Sequence, residues 1–136
     1  MKRLILAVQL ATVSVGNGFY SLAQAAEHLT PEVSLEELKK IVATKSATII
    51  DGNGIEMYKS GHIPGAIHFG KHQSDLASVL PKDKNAPIIA YCGGPLCTAW
   101  EEPAGKVKAL GYTNIRHFKG GIKGWKSAGQ AVDKGA

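Results

Sequence analysis

Short apolar runs alternate with segments of helical periodicity from about residue 33 onward. The runs Ala47 to Asp51, Pro87 to Tyr91 and Asn114 to Phe118 are typical of buried strands. Ser34 to Glu37 forms a capping-box pattern ahead of apolar positions at helical spacing, which predicts the start of a helix. Strands that alternate with helices predict an α/β fold in which helices cover both faces of a mostly parallel sheet.

Residues 1–25 follow a different pattern, in which two basic residues precede an apolar stretch from Leu4 to Val15. Ala23-Gln24-Ala25 has the small-x-small form of a signal-peptidase site. Gly16-Asn17-Gly18 interrupts the stretch before it reaches the roughly 20 residues of a membrane-spanning helix. We therefore expect 1–25 to be a cleaved signal peptide and 26–136 to be a single domain. The mature protein would be periplasmic or secreted, with no membrane attachment.

Composition narrows the possible partners and cofactors. The formal charge of +5 falls to +3 without the two basic residues of 1–25, and the remaining lysines are dispersed. A nucleic-acid-binding surface requires clustered basic residues on a recognisable element, so we expect no nucleic-acid partner. Two cysteines do not complete the coordination of zinc, and the histidines lack ligand spacing, so we expect no metal and no cofactor.

The strongest candidate for chemistry is the cysteine at the end of the run Pro87 to Tyr91. Parallel α/β sheets bind ligands at the carboxyl ends of their strands, and Cys92 lies at such an end. Gly93 and Gly94 let the backbone turn its N–H groups inward and form an anion-binding nest. A following helix would favour the thiolate of Cys92, which is the nucleophilic form of cysteine. The alternative is a buried structural cysteine.

The start of that helix has two possible positions. Thr98 and Glu101 have capping-box spacing, which favours a helix that begins at Thr98. Pro103 prefers the first turn of a helix, which favours a later start and leaves Thr98 in the loop.

The chain resembles the rhodanese-like sulfurtransferase family in its single-domain, exported form. The resemblance covers about residues 33–132, and its motifs occur in the family's order and spacing. They are Asp51 followed by Glu56-x-Tyr58, Gly61-His62-Ile63-Pro64-Gly65-Ala66, Tyr91-Cys92, Leu110-Gly111-Tyr112-x-Asn114-Ile115, and Gly120-Gly121-Ile122-x-x-Trp125. The resemblance implies a rhodanese-like α/β fold with a sheet of about five strands.

The resemblance also implies an enzyme that transfers sulfane sulfur. Cys92 would take the outer sulfur of thiosulfate, mercaptopyruvate or a persulfide and become a persulfide, and a thiol or cyanide would then accept that sulfur. Asp51 and His62 would support the site without contacting substrate. Backbone N–H groups of the loop would hold the terminal sulfur of the persulfide; they belong to Gly93, Gly94, Leu96, Cys97 and Thr98.

The sequence departs from the family at two positions where arginine is common, which here hold Asn53 and Cys97. The loop therefore carries no basic side chain, and the two charges of thiosulfate would need a lysine or Arg116 from elsewhere. A less charged donor or a protein persulfide is the alternative substrate.

Cys97 has three interpretations. It is a resolving thiol that attacks the Cys92 persulfide, a resting disulfide partner that a thioredoxin-like reductant must open, or a small residue that fills the loop. Two other functions also stay open. One is a thiol–disulfide redox protein that uses Cys92 and Cys97, and the other is a catalytically silent binding module.

Overall fold

The computed structural model describes residues 30–136, which form a four-stranded sheet with helices on both sides. The predicted signal peptide and its cleavage site lie outside the described residues. In chain order the elements are α1 (Leu35–Thr44), β1 (Thr48–Asp51), α2 (Ile55–Ser60), β2 (Ile67–His68), a 3-10 turn (Phe69–His72), α3 (Leu76–Val79), β3 (Ile88–Tyr91), α4 (Glu101–Ala109), β4 (Ile115–His117) and α5 (Gly121–Ser127).

The strands pair in the order β2-β1-β3-β4, and every pair is parallel. Asp51 at the end of β1 is level with Tyr91 of β3 and with His68 of β2. The carboxyl ends of the strands therefore meet at one edge, as the sequence predicted for the candidate site.

The expectation of about five strands is wrong by one, because the described residues form a sheet of four strands. Glu32 makes only an isolated parallel bridge to His117, at the free edge of β4. The Ser34 side chain caps α1 by accepting a hydrogen bond from the Glu37 N–H (3.1 Å), as its capping-box pattern predicted. Because the helix begins so soon after the bridge, the segment beside β4 is too short to form a strand.

Alternate residues of each strand face opposite sides of the sheet, and each side has its own core. Ile49 and Ile89 pack with α1 and α5, through Leu38 and Trp125 among others. The second core is built on the other side by Ile50, Phe69, Leu76, Ile88 and Val107. The predicted cover of helices on both faces is thereby confirmed. From residue 30 onward, no helix is long and apolar enough to cross a bilayer.

The helix after the cysteine loop starts late. α4 begins at Glu101 with no side-chain cap, and Pro103 lies in its first turn. Thr98 contributes its carbonyl, which accepts the Glu101 N–H at 3.0 Å, instead of its hydroxyl. Of the two starts that the sequence left open, the later one is therefore observed, and Thr98 lies in a loop between Cys92 and Trp100.

Candidate active site

A buried polar network ties the ends of β1 and β3 together. Asp51, which is fully buried, accepts hydrogen bonds from the Tyr91 hydroxyl (2.6 Å) and from the Asn53 N–H (2.7 Å). The Tyr91 oxygen in turn accepts from the Ile63 N–H at 3.0 Å. Burial, and then the Asp51 carboxylate, raise the pKa of Tyr91 far above its usual value. The phenol therefore stays protonated and acts as the donor to Asp51.

His62 braces the turn that leads into β2. Its ring stacks on Tyr58 with centroids 3.7 Å apart, and Nδ1 lies 2.8 Å from the Tyr58 carbonyl. Since a carbonyl oxygen only accepts, Nδ1 carries the proton and donates. The backbone of His62 also exchanges two hydrogen bonds with Asp133. The His62 ring therefore holds the turn, whereas Asp51 accepts hydrogen bonds from both the Tyr91 hydroxyl and the backbone after β1.

The two cysteines of the loop form a disulfide bond. Cys92 and Cys97 are joined with a Cα–Cα distance of 6.3 Å, and residues 30–136 contain no free cysteine. Cys92 is buried and Cys97 is half-buried. In this form Cys92 has no free thiol, so any nucleophilic role requires reduction of the bond.

The cysteine loop rests on the first turn of α5. The N–H groups of Ile122 and Lys123 donate to the carbonyls of Cys92 (2.9 Å) and Gly93 (3.0 Å). A Cβ at Gly121 would lie 2.6 Å from the backbone at Gly93 and Gly94. Gly121 also has φ +63°, a conformation that favours glycine. The sequence showed Gly121 only as part of a motif, and its contact with the loop becomes visible in three dimensions.

Several N–H groups of the loop have no acceptor. Among the hydrogen bonds of the described residues, none is donated by the backbone of Gly93, Gly94, Leu96 or Thr98. The Cys97 N–H differs, because it donates to the Gly94 carbonyl at 3.1 Å. Four of the five N–H groups expected to hold an anion are thus unpaired, and the fifth is occupied in the disulfide form. The Leu96 side chain is 96% exposed at the tip of this loop.

Asn53 is a site residue that the sequence did not identify as one. Its backbone is held by Asp51 and by the His68 ring, whose Nε2 lies 2.7 Å from the Asn53 carbonyl. Its side chain is buried, and Nδ2 has no hydrogen-bond partner. Its Oδ1 lies 3.6 Å from the position of a Cβ on Gly93, so the amide lies against the cysteine loop.

Of the two kinds of cation that the sequence suggested, a lysine lies near the loop and Arg116 does not. Arg116 does not serve the site, because its guanidinium binds the Glu37 carboxylate through two hydrogen bonds and the Glu32 carbonyl through a third. Lys123 is closer to the loop: a Cβ on Gly94 would lie 3.8 Å from the Cβ and Cδ of this lysine. Lys123 forms no ion pair within the described residues.

Trp100 is the last residue of the cysteine loop, and its side chain packs against β4. Its ring stacks on His117 with centroids 3.6 Å apart and planes inclined by 14°. Burial lowers the pKa of His117, with a smaller lowering contribution from Lys119 and an opposing one from Glu32. His117 is therefore neutral at pH 7. In the described part of the chain, no group of three or more acidic, histidine or cysteine side chains is arranged to hold a metal ion.

Comparison with known proteins shows the family of this fold. The profile of the rhodanese-like domain matches residues 34–128. The chain belongs to the rhodanese-like family. It is 30% identical over 97 residues to a putative sulfur carrier protein of Bacillus subtilis, a match that covers 70% of this chain and 50% of the relative.

A helix-turn-helix-type transcriptional regulator of Mycobacterium tuberculosis is also 30% identical, over 105 residues that cover 76% of this chain and 45% of the regulator. The rhodanese-like chain thus spans about half the length of these two curated relatives.

Two solved structures have the same fold. A thiosulfate sulfurtransferase of Pseudomonas aeruginosa superposes with TM-score 0.62 at 25% identity, covering 87% of this chain and 22% of that one. A human single-domain sulfurtransferase gives TM-score 0.59 at 23% identity, covering 73% of this chain and 97% of that one. Both likenesses show the fold, and both of those proteins are named as sulfurtransferases.

Proposed function

We propose that this protein is a sulfurtransferase whose nucleophile is the reduced Cys92. The observation that carries the proposal is the position of Cys92 at the carboxyl end of β3, followed by a loop with four unpaired N–H groups. Such N–H groups stabilise an anion that is held above them. A persulfide on Cys92 would carry its negative charge on the terminal sulfur, within reach of this loop.

The reaction has two steps. In the first, the Cys92 thiolate attacks the outer sulfur of a donor, and the bond from that sulfur to the rest of the donor breaks. The electron pair leaves with the remainder, for example as sulfite from thiosulfate, and Cys92 becomes a persulfide. In the second step, the thiolate of an acceptor attacks the terminal sulfur, and Cys92 leaves as a thiolate. Cyanide is an alternative acceptor that yields thiocyanate.

We propose that the ammonium group of Lys123 attracts an anionic sulfur donor to the loop. Its aliphatic stem lies along Gly94, and its ammonium group has no ion-pair partner among residues 30–136. The single positive charge of one lysine suits a donor of lower charge than a dianion. We further propose that the protein acts in the periplasm or outside the cell, where a Cys92–Cys97 disulfide persists until a dithiol of the thioredoxin-like class reduces it.

The test is the intact mass of the reduced protein after incubation with thiosulfate and, separately, with mercaptopyruvate. The matched variants are Cys92→Ser and Cys97→Ser, which make the same change at the two ends of the disulfide. We expect the wild type and Cys97→Ser to gain one sulfur atom and Cys92→Ser to gain none. If the reduced wild type gains no sulfur from these donors or from a persulfide, the silent binding module becomes the better interpretation.

A thiol–disulfide redox protein is the second candidate, and the Cys92–Cys97 bond is the observation that favours it. In this function the disulfide accepts two electrons and two protons from a substrate dithiol, which becomes a disulfide. Incubation of the oxidised protein with a reduced dithiol protein distinguishes the two functions. Stoichiometric transfer of the disulfide, without sulfur loading of the reduced form, would favour the redox function over sulfur transfer.

A further inference from the structure

The disulfide of the cysteine loop presents its two ends unequally to solvent. Cys92 is 1% exposed, whereas Cys97 is half-buried. In thiol–disulfide exchange a thiolate must reach the sulfur that it attacks, so access decides which end of the bond reacts. An external thiolate is therefore expected to attack the Cys97 sulfur, and Cys92 is then the group that leaves.

The Cys92 end of the bond suits negative charge. When the bond breaks, the electron pair passes to the Cys92 sulfur, which becomes a thiolate. The N–H groups of Gly93 and Gly94 follow directly, and within the described residues neither has an acceptor. Such N–H groups stabilise a nearby anion, and a stabilised thiolate leaves faster. Access and charge thus favour the same direction of attack.

Leu96 lies immediately before the accessible end of the disulfide. It follows Pro95 in a turn that the Cys97 N–H closes by donating to the Gly94 carbonyl at 3.1 Å. Proline favours the second position of such a turn because its φ is fixed. The Leu96 side chain is 96% exposed, whereas the next most exposed large apolar side chain of the described residues, Met57, is 47% exposed. The turn therefore holds a leucine almost wholly in water.

The loop around Leu96 carries no charge of its own, because residues 93–100 include no acidic or basic side chain. Three further residues of this loop are exposed: Pro95, Thr98 and Ala99. A single exposed leucine is ordinary on a protein surface. This one, however, lies beside the sulfur that a reducing protein must reach, and contact with that protein would remove its apolar surface from water.

Resting on the reduction step of the proposed function, we propose that Leu96 is the docking residue for a dithiol protein that reduces the Cys92–Cys97 bond through its Cys97 end. The partner is of the thioredoxin-like class, with an apolar surface beside its nucleophilic cysteine. Its first thiolate attacks the Cys97 sulfur, the bond to Cys92 breaks, and a mixed disulfide joins the partner to Cys97.

The second thiol of the partner completes the reduction. As a thiolate it attacks the partner's own sulfur in the mixed disulfide, and Cys97 leaves as a thiolate. Two electrons and two protons have then passed from the partner to Cys92 and Cys97, and the partner has become a disulfide. Reduction thereby frees the Cys92 thiol, and the docking of the partner controls when this happens.

The experiment measures the rate at which the oxidised protein is reduced by two reductants, with alkylation of the free thiols as the readout. Thioredoxin is the protein dithiol, and dithiothreitol is a small dithiol that needs no docking surface. Leu96→Asn keeps the size of the side chain, suits a turn and removes the apolar surface. We expect it to slow reduction by thioredoxin about 10-fold, the effect of leaving one leucine contact unmade, and to leave the rate with dithiothreitol unchanged.

Leu110→Asn is the matched control. It makes the same substitution at another exposed leucine, which follows the end of α4 that is remote from the cysteine loop. It should leave the rates with both reductants unchanged.

A second measurement locates the attacked sulfur. Thioredoxin that lacks its second cysteine stops at the mixed disulfide, and rapid alkylation caps the released thiol before the original bond forms again. Trypsin leaves both cysteines in one peptide, residues 85–106, so fragmentation of this peptide assigns each group. We expect the alkyl group on Cys92 and thioredoxin on Cys97.

Each outcome supports or overturns the proposal. Equal slowing of Leu96→Asn with both reductants, or no slowing with either, would overturn docking at Leu96, and so would equal slowing of Leu110→Asn with thioredoxin. A wild type that thioredoxin reduces no faster than dithiothreitol does, at equal thiol concentration, would also overturn it. Attachment of thioredoxin to Cys92 would overturn attack at Cys97. None of these measurements uses sulfur loading, so reduction as predicted without any loading would contradict the proposed sulfur transfer alone.

Discussion

The two polar regions at the carboxyl edge of the sheet differ in how completely their hydrogen bonds are satisfied. In the network of Asp51 and Tyr91, each carboxylate oxygen and the phenol oxygen has a partner between 2.6 and 3.0 Å away. In the adjoining cysteine loop, the N–H groups of Gly93 and Gly94 have no acceptor among the described residues, and neither does the side-chain amide of Asn53, which lies against that loop. Tyr91 and Cys92 are consecutive, so the change from one region to the other occurs within one residue.

This difference distinguishes the region that holds the strand ends in place from the region that can bind a ligand. A fully paired buried network fixes the strand ends and leaves no group for a ligand. The loop instead carries N–H groups that no other group of the described residues occupies, so they are available to an anion. The comparison predicts that substitutions in the network mainly reduce stability, whereas substitutions in the loop mainly change reactivity. Gly121, which seats the loop, should affect both.

The largest effect is expected for Gly121→Ala. Its methyl group would lie 2.6 Å from the backbone at Gly93 and Gly94, and neither this backbone nor Gly121 at φ +63° adapts easily. We expect a loss of roughly 3–5 kcal/mol in the free energy of unfolding, at the upper end for single substitutions. Chemical denaturation measures the loss, and sulfur loading of the remaining folded protein should be reduced as well.

Gly129→Ala is the matched control for Gly121→Ala. Gly129 has a similar φ of +73°, but a Cβ there would meet no atom within 4 Å. Its cost should be limited to the backbone term of about 1–2 kcal/mol. If both variants lose the same stability, the close approach between α5 and the cysteine loop contributes nothing, and the loop is not seated as described.

The next largest effect is expected for Tyr91→Phe, which removes the hydroxyl between Asp51 and Ile63. A buried carboxylate oxygen then loses its donor, and we expect a loss of roughly 2–3 kcal/mol in the free energy of unfolding. Sulfur loading of the folded protein should stay close to wild type. Denaturation and loading, measured on the same samples, give both values.

Tyr112→Phe is the control for Tyr91→Phe. Its hydroxyl donates to the carbonyl of Pro81, a neutral acceptor, so its removal should cost only about 1 kcal/mol. Equal losses in the two variants would indicate that the carboxylate of Asp51 does not strengthen the network. A large fall in sulfur loading by folded Tyr91→Phe would contradict the conclusion that the network affects mainly stability and the loop mainly reactivity.

The sequence predicted the parts of this fold that depend on local patterns. The apolar runs that end at Asp51 and Tyr91 are strands, and Ser34 caps α1. The fifth strand was not formed, because the Ser34 cap leaves little chain beside β4 after the bridge at Glu32. The sequence left the start of α4 open between Thr98 and a later position, because the Thr98–Glu101 spacing and Pro103 favour different starts, and the structure has the later one.

The residues that sequence reasoning missed depend on contacts between distant segments. Asn53 follows a strand-end acid, and nothing in its neighbourhood along the chain indicates that its amide is sealed against Gly93. Gly121 belongs to a recognisable motif, but the reason for glycine there is the backbone at Cys92 and Gly93. The Asn53 contact depends on the register of β1 with β3, and the Gly121 contact depends on that of β3 with β4, which the sequence predicts only approximately.

The smallest effect is expected for the pH dependence of the free energy of unfolding that comes from His117. This residue ends β4, and its ring stacks on Trp100 at the end of the cysteine loop. Burial lowers the pKa of His117, so the unfolded chain binds a proton more readily than the folded one. The stabilisation from neutral His117 is therefore fully present above the unfolded pKa, near 6.5, and is lost as the pH falls through the lower pKa of the folded state.

His117→Phe keeps an aromatic ring against Trp100 and removes the titration. We expect the free energy of unfolding of the wild type to fall relative to that of this variant between pH 7.5 and pH 5, as measured by denaturation at several pH values. Parallel profiles would mean that His117 titrates alike in both states and that its burial against Trp100 is weak. If the stability of the wild type falls relative to that of the variant, then the end of the loop at which Trp100 stacks on His117 depends on an uncharged imidazole ring. The cysteine end of the loop carries no such dependence.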